Sequence, residues 1–259
     1  MGKIITLTTD LGLRDPYVPA TKGFILRHLP DVQMIDLSHT VKPFDIAQAA
    51  WMLRYAHREF PDDTVHLITV GGTISKKFNH VLVRYHNQWM IGCDNGIFSL
   101  ITEEEPELII ELCKGGEEPG PLTLKDVYAA AAVRLLSGTA ATDLGPQAER
   151  IQQLLRPIHP PESDTLKGSV AYIDSYGNVI TDISREQFAR FGKNLPFSIE
   201  LFGDEITTIS KNYYDVAEGE KLAFFNSAGY LEIAINKGSA SALLNIKSSF
   251  VVRIRFQGL

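Results

Sequence analysis

The chain of 259 residues is long enough to bury one large core or two modest ones. Its composition, 44% hydrophobic and 22% charged, is ordinary for a globular protein, and no apolar run is long enough to span a bilayer. The net charge of −6 and the lack of a basic stripe argue against nucleic acid as a partner. We therefore expect a small-molecule ligand.

Cysteine usage and the N-terminal residues indicate the cellular compartment. Only Cys93 and Cys113 occur, without a CxxC pair, which predicts neither a disulfide framework nor a zinc site. Charged residues at Asp10, Arg14 and Asp15 interrupt the first apolar residues, a pattern unlike that of a signal peptide. The expected location is the reducing cytoplasm.

Apolar strands and amphipathic helices alternate over residues 1–156, which predicts an α/β domain with a largely parallel sheet. In the first helix, Ala20, Phe24, Ile25 and Leu29 are expected on the buried face. The predicted strands are Ile5–Thr8, Val32–Leu37 and Thr64–Val70, the predicted helices are Tyr17–Leu29, Phe44–Tyr55 and Asp126–Leu136, and a predicted hairpin joins His80–Tyr85 to Gln88–Cys93 around His86 and Asn87.

A polar, proline-rich segment, residues 157–166, is predicted to be a linker. Beyond it, over residues 167–259, short strands follow one another closely, which is typical of a small antiparallel β-barrel. These strands are predicted at Gly168–Ile173, Val179–Ile183, Phe197–Leu201, Lys221–Phe225, Tyr230–Ile235 and Phe250–Phe256. The predicted fold class is therefore α/β, with an N-terminal α/β domain and a C-terminal antiparallel β-barrel-like domain.

Two carboxylates, Asp10 and Asp15, follow the first predicted strand. In open α/β sheets, ligands bind beyond the carboxyl ends of the strands, so these side chains stand where a ligand with hydroxyl groups or a cation would be held. The local alternative is that Asp10 is a turn residue and Asp15 caps the following helix. Their spacing alone favours the local interpretation.

Two turns in the second half also combine several polar groups. Asp174, Tyr176, Gly177 and Asn178 place a carboxylate, an aromatic ring and an amide on one tight turn, which suits a zwitterion and the edge of a base. The alternative is a plain hairpin turn, because glycine and asparagine tolerate positive φ. A second such hairpin is predicted over residues 225–240.

Six segments, spread in order from residue 8 to residue 240, together carry a resemblance to one family. The chain resembles the S-adenosylmethionine hydroxide adenosyltransferases (SAM hydrolases), relatives of the fluorinase and chlorinase. The matching segments are TTDLGLRDPYV, DLSHTVKPFDIAQAA, FPDDTVHL, CDNGIFSLI, YIDSYGNVITDI and FNSAGYLEIAINKGSA.

The resemblance implies a homotrimer that binds S-adenosylmethionine (SAM) between neighbouring subunits, with no separate cofactor and no metal. By position, Asp10 would hold the ribose hydroxyls, and Asp15 and Asp174 would pair with the methionine ammonium. The remaining ligand contacts implied by the resemblance are Phe44 at the ribose or methionine, Asn178 at the adenine edge, Tyr176 and Tyr213 around adenine, and Ser227 in a ligand-contacting loop. Carboxylates and aromatic faces suit the amine, the diol and the sulfonium of SAM.

The chain departs from the family where water is activated. SAM hydrolases carry an aspartate, an arginine and a histidine around the attacking water, and these align with Gly71, Phe78 and Thr123 here. The halide-binding positions of the halogenases align with Gly71, Ile74 and Leu124, which offer no polar side-chain hydrogen and argue against a halogenase. We therefore assign no catalytic residue.

Four basic side chains near these positions offer possible replacements. Lys76 and Lys77 would have to point inward to replace the missing cation, whereas paired lysines are usually solvated. His39 and His66 each could act as a base, but the family has a histidine at both positions beside its chemistry, which favours structural roles.

The sequence thus predicts an adenosyl-binding protein of the SAM hydrolase family whose hydrolysis of SAM to adenosine and L-methionine is weak. A non-catalytic sensor of SAM or adenosine is the alternative. A third hypothesis is an enzyme acting on another nucleoside, in the space opened by Gly71 and Thr123.

Overall fold

The computed structural model describes residues 2–71, 78–113, 122–154, 164–192 and 195–258. The chain divides into two compact units, Met1–Leu154 and Leu155–Leu259. Most of the predicted linker lies outside the described residues, and the first strand of the second unit already begins at Thr165. None of the helices among the described residues has the length and apolarity that crossing a bilayer requires.

The first unit is built on a six-stranded sheet. Its strands are β1 (Ile4–Thr9), β2 (Gln33–Ser38), β3 (Val65–Thr69), β4 (His80–Tyr85), β5 (Gln88–Cys93) and β6 (Leu108–Cys113). Their order in the sheet is β2-β1-β3-β5-β4-β6. The neighbours among β1, β2, β3 and β5 are parallel, whereas β4 is antiparallel to β5 and β6, which confirms the predicted, mostly parallel sheet. The helices are α1 (Tyr17–His28), α2 (Ile46–Ala56), α3 (Ile97–Ile101) and α4 (Ala130–Leu136).

Hydrophobic clusters cover both faces of this sheet. One cluster joins Leu7 and Leu67 to Ile25 of α1 and Ala132 of α4. The other cluster packs residues of α2 and α3 against β3, β4 and β5. Because helices lie on both faces, β3 is buried along its whole length, including the polar residues His66 and Thr69.

The starts of two predicted helices differ from the structure. α2 begins at Ile46, because the Asp45 carboxylate caps the helix by accepting a hydrogen bond from the Gln48 N–H at 3.0 Å. Phe44 therefore precedes the helix and has a positive φ of 67°. The predicted helix Asp126–Leu136 begins instead within a π-helical turn, Leu124–Ala129, and becomes α-helical only at Ala130.

The predicted buried face of α1 is partly wrong. Val18, Thr21 and Ile25 are the buried residues of the helix, and Ala20 is exposed. Thr21 can occupy an apolar face because its hydroxyl donates to the Tyr17 carbonyl at 2.8 Å.

The hairpin between β4 and β5 is confirmed at the predicted residues. Both turn residues, His86 and Asn87, have positive φ, which matches the twist of a two-residue hairpin. Strand β6 of the same sheet and the helix α3 were not predicted from the sequence.

The second unit is a seven-stranded antiparallel sheet in the order β10-β9-β13-β7-β8-β12-β11, nearly closed into a barrel. Lys221 on one edge strand lies 2.5 Å from the Asp204 carboxylate on the other, which brings the two edges together. The strands are β7 (Thr165–Ile173), β8 (Val179–Ser184), β9 (Phe197–Leu201), β10 (Asp204–Ile206), β11 (Lys221–Phe225), β12 (Tyr230–Ile235) and β13 (Val251–Phe256), with helices α5 (Arg185–Gly192) and α6 (Ala240–Leu243). The barrel prediction is confirmed, although β10, α5 and α6 were not predicted.

Candidate functional site

Asp10 lies at the carboxyl end of β1 and ties three segments together. Its Oδ2 accepts the backbone N–H of Phe44 at 3.0 Å and of Gly71 at 3.1 Å, and its own N–H donates to the Thr69 carbonyl. These partners are 34 and 61 residues away, so the carboxylate does more than close a local turn. Among the described residues nothing donates to Oδ1, which leaves one carboxylate oxygen available to a ligand.

Both donors to Asp10 have left-handed backbone conformations. Gly71 has φ of 65°, and a Cβ there would lie 3.3 Å from Ile46 Cγ2 and 3.4 Å from the Phe44 Cα. Phe44 adopts the same region without being glycine, and its side chain is 76% exposed. Strain of this kind persists only where surrounding contacts hold it, and here the bond to Asp10 is such a contact.

Asp15 does not cap α1. Pro16 occupies the N-cap position, and no side chain caps that helix end, so the local interpretation of Asp15 as a cap is wrong. Asp15 is exposed and, within the described part of the chain, its carboxylate makes neither a hydrogen bond nor an ion pair. It is therefore available to a cationic group.

His39 is buried and fixes the loop after β2. Its Nδ1 lies 3.0 Å from Thr9 Oγ1 and its Nε2 lies 3.0 Å from Asp36 Oδ1. Its carbonyl accepts the Gly12 N–H at 2.8 Å. These contacts support a structural role beside Asp10.

His66 is fully buried between two polar side chains. Gln88 Nε2 donates to the carbonyls of His57 and Phe60, so Gln88 Oε1 faces His66 Nε2 at 3.2 Å and can only accept. His66 therefore carries its proton on Nε2, and its Nδ1 accepts the Thr6 hydroxyl at 2.8 Å. Both ring nitrogens are engaged, so His66 is a structural residue rather than a base.

Burial lowers the pKa of His66 to about 4, which predicts a pH-dependent stability. The unfolded chain takes up the proton near pH 6.5 and the folded one does not, so stability is complete above pH 6.5 and falls as the pH drops to about 4. This residue should account for a loss of about 3 kcal/mol in the free energy of unfolding across that interval.

NMR spectroscopy of the histidine rings checks this expectation, with His66→Asn identifying the His66 signal. The signal should stay in its neutral position from pH 8 to pH 5.5, and urea denaturation should show stability falling below pH 6.5. A His66 ring that becomes protonated near pH 6.5 in the folded protein would contradict the structure.

The three positions that the resemblance aligns with water-activating residues carry no ionisable side chain here. Gly71 contributes only backbone, the Phe78 hydrocarbon ring is half-buried, and Thr123 is buried at the start of the π-helical turn. Leu124 beside it is fully buried. Ile74, Lys76 and Lys77 lie outside the described residues. Among the described residues, no three histidine, cysteine or acidic side chains group as a metal site.

In the second unit, the predicted turn is the β7–β8 hairpin. Asp174 Oδ1 accepts the backbone N–H groups of Tyr176 at 2.9 Å and Asn178 at 2.8 Å, and Oδ2 accepts Asn178 Nδ2 at 2.9 Å. Gly177 has φ of 83°, as the hairpin interpretation requires. The turn thus holds a carboxylate, an exposed aromatic ring and a buried amide in fixed positions.

A cavity of about 790 Å³ opens beside this turn. Tyr176 is exposed at its edge, and Tyr213 follows on a short 3-10 turn, where its ring packs edge-on against Phe224. The residues that line it include Tyr176, Asn178, Tyr213, Asn236, Lys237 and Ser239. Ser227 lies apart from this lining, exposed in the β11–β12 turn that Asn226 closes. The cavity is large enough for a nucleobase, and its aromatic lining suits the flat faces of such a ring.

Glu232 and Asn226, which were not predicted from the sequence, lie behind the cavity. Glu232 is buried on β12 and accepts the Tyr213 hydroxyl at 2.7 Å, and Asn226 Nδ2 donates to its other oxygen at 3.3 Å. The available signal was a carboxylate within the otherwise apolar strand Tyr230–Ile235.

The protein thus has an α/β unit and a β-barrel unit. In the first, the N–H groups of Phe44 and Gly71 hold the Asp10 carboxylate, an arrangement we call the carboxylate clamp. The second contains a cavity of a size that fits a nucleobase. Family models for the N-terminal and C-terminal domains of SAM hydroxide adenosyltransferase match residues 5–145 and 168–253. The chain belongs to the SAM hydroxide adenosyltransferase family.

Individual relatives agree with this assignment. The chain is 30% identical to an (R)-S-adenosyl-L-methionine hydrolase of Thermus thermophilus, over 95% of this chain and 97% of the relative. It is 25% identical to a fluorinase of Nocardia brasiliensis, over 97% and 96% of the two chains. A crystal structure of an uncharacterized conserved protein from Thermotoga maritima is similar with a TM-score of 0.86 and 28% identity, over 97% of this chain and 99% of that one.

Proposed function

We propose that this protein binds SAM or a closely related adenosyl compound. The observation that carries the proposal is the clamped carboxylate of Asp10, one oxygen of which is held by the N–H groups of Phe44 and Gly71 while the other is available. A carboxylate fixed in this way can accept hydrogen bonds from a vicinal diol, the group that the ribose of SAM presents. Phe44, strained and exposed beside it, would cover the ribose or the methionine chain.

The second unit would bind the rest of the ligand. The cavity beside the β7–β8 turn would take the adenine ring, with Tyr176 and Tyr213 as aromatic walls and Asn178 at its edge. Asp174 and Asp15 would pair with the methionine ammonium. The second oxygen of Asp174 accepts one hydrogen bond and has capacity for another. Ser227 would contact the ligand from its exposed turn.

The proposed assembly is a homotrimer with the ligand between subunits. Supporting this, large side chains beside the proposed contacts are exposed in the single chain: Leu13 and Phe44 in the first unit, Tyr176 and Tyr214 in the second. A bound ligand and a neighbouring subunit would remove such surface from water.

The proposed chemistry is a weak hydrolysis of SAM to adenosine and L-methionine. The relatives named as hydrolases act, by their name, on the (R) form of SAM, and we propose the same substrate here. Gly71, Phe78 and Thr123 supply no ionisable group to activate water. The same three residues favour the second candidate, a non-catalytic sensor of SAM or adenosine.

Titration calorimetry with SAM, adenosine and L-methionine tests the proposal, with guanosine as the control ligand. We expect SAM to bind more tightly than adenosine, because only SAM engages Asp15 and Asp174. At a concentration 100 times its Kd, SAM should raise the free energy of unfolding by about 2.7 kcal/mol. Sedimentation equilibrium on the same sample should give three subunits. Absence of binding by both SAM and adenosine would refute the proposed function.

A further inference from the structure

A buried carboxylate, Glu232, lies behind the cavity of the second unit and is held from two sides. Only 6% of Glu232 is exposed, and it lies on β12 between the apolar residues Leu231 and Ile233. Asn226 is oriented by two backbone N–H groups, those of Ala228 and Tyr230, which donate to its Oδ1 at 3.1 and 3.2 Å. Its Nδ2 must therefore face Glu232 as a donor.

The hydrogen bonds in front of Glu232 have a fixed direction. Tyr213 donates its hydroxyl proton to Glu232 Oε1 at 2.7 Å, so the Tyr213 oxygen is left to accept, and Asn178 Nδ2 donates to it at 3.3 Å. Burial and the bond to Glu232 raise the pKa of Tyr213, which keeps this hydroxyl protonated. The chain of donors thus runs from Asn178 through Tyr213 to Glu232.

Both amide hydrogens of Asn178 are used in this arrangement. One goes to Tyr213 and the other to Asp174 Oδ2 at 2.9 Å. Within the described residues, Asn178 Oδ1 accepts no hydrogen bond. The amide, 4% exposed and lining the cavity, therefore offers a ligand an acceptor and no donor.

We propose that Glu232, acting through Tyr213, is a positioning residue that fixes Asn178 as an acceptor and so makes the cavity select 6-aminopurines over 6-oxopurines. This inference rests on the proposed function, because it concerns the base of the same adenosyl ligand. The exocyclic amino group of a 6-aminopurine donates a hydrogen bond to Asn178 Oδ1. A 6-oxopurine places an oxygen there, so two acceptors face each other and neither is paired.

The expected selectivity follows from that unpaired contact. A buried polar group without its partner weakens binding by about 10- to 100-fold, and a site built around one hydrogen bond rejects the analogue that lacks it. Adenosine carries an amino group at position 6 where inosine carries an oxygen, and both have the same ribose. The ratio of their affinities therefore reports the selection of the purine independently of the ribose contacts.

The test is calorimetry with adenosine and inosine on four proteins: the wild type, Glu232→Gln, Tyr213→Phe and the control Glu200→Gln. Glu200 is a partly exposed glutamate on β9 of the same barrel, where it pairs with Arg255 instead of the cavity. Glu232→Gln supplies an amide donor to the Tyr213 oxygen, which turns the hydroxyl proton towards Asn178. Tyr213→Phe removes one of the two acceptors that hold the amide.

We expect the wild type and Glu200→Gln to prefer adenosine by about 10-fold or more. The ratio should fall by about 5-fold or more in Glu232→Gln and Tyr213→Phe, as one hydrogen bond is lost or reversed. Because Tyr213 is 36% exposed, we expect Tyr213→Phe to fold, and it tests the proposal if Glu232→Gln does not fold. An unchanged ratio in a folded variant overturns the positioning role, because a merely structural residue would weaken both nucleosides alike.

Two outcomes separate this inference from the proposed function. A wild-type protein that binds adenosine and inosine equally overturns the selectivity and leaves adenosyl binding intact. A wild-type protein that binds neither SAM nor adenosine overturns both.

Discussion

Replacing Asp10 by alanine should weaken adenosine binding by about 10²- to 10³-fold, because two charge-assisted hydrogen bonds to the ribose diol are lost. The same change should lower the free energy of unfolding by about 2–4 kcal/mol, since the N–H groups of Phe44 and Gly71 lose their acceptor. Calorimetry measures the first effect and urea denaturation the second. Asp62→Ala is the matched control, because Asp62 is an exposed acid of the same unit, and neither quantity should change.

Deoxynucleosides separate the ligand contact from the structural role of Asp10. Wild-type protein should bind 2′-deoxyadenosine about 10- to 100-fold more weakly than adenosine, as expected for the loss of a hydrogen bond to a charged group. Asp10→Ala should bind the two nucleosides almost equally. A wild-type protein that does not distinguish them, or an alanine variant that still does, would show that Asp10 does not hold the ribose.

Hydrophobic patterning predicted the sheet well because the central strands are buried between helices on both faces. Strands β1, β3, β4 and β5 lie within a residue or two of the predicted positions. The pattern failed at Phe44, the first residue of the predicted helix, which lies outside α2. The cap at Asp45 sets the helix start, and the bond from the Phe44 N–H to the distant Asp10 accompanies its positive φ. Contacts of that range leave no trace in local periodicity.

The candidate site could be predicted only in part for the same reason. Local spacing favoured a turn role for Asp10, and only the resemblance indicated the ligand role that its bonds to Phe44 and Gly71 now support. The directions of the hydrogen bonds from Asn178 to Glu232 depend on residues from three separate segments. Glu232 is a charge inside an apolar strand, but its hydrogen bonds to Tyr213 and Asn226 could not be predicted from the sequence.

We propose that Gly71, Phe78 and Thr123, at the positions aligned with the hydrolases' water-activating residues, have the largest effect on turnover. Water is a poor nucleophile at neutral pH without a base or a cation to favour hydroxide. Gly71 carries no side chain, Phe78 offers a hydrocarbon ring, and His66, the buried histidine on β3, has both nitrogens engaged. Losing such groups commonly costs 10²- to 10⁴-fold, and losses from residues that act as a unit do not multiply.

Single-turnover hydrolysis of (R)-SAM tests our proposal that the chain keeps the adenosyl site while Gly71, Phe78 and Thr123 replace the residues that activate water. Protein in excess over SAM is quenched at intervals, and adenosine and L-methionine are measured by chromatography, with the Thermus thermophilus hydrolase in parallel at the same pH and temperature. We predict that SAM binds and forms adenosine at least about 10²-fold more slowly than with the relative. Formation of adenosine and L-methionine at the rate of the relative would contradict the account.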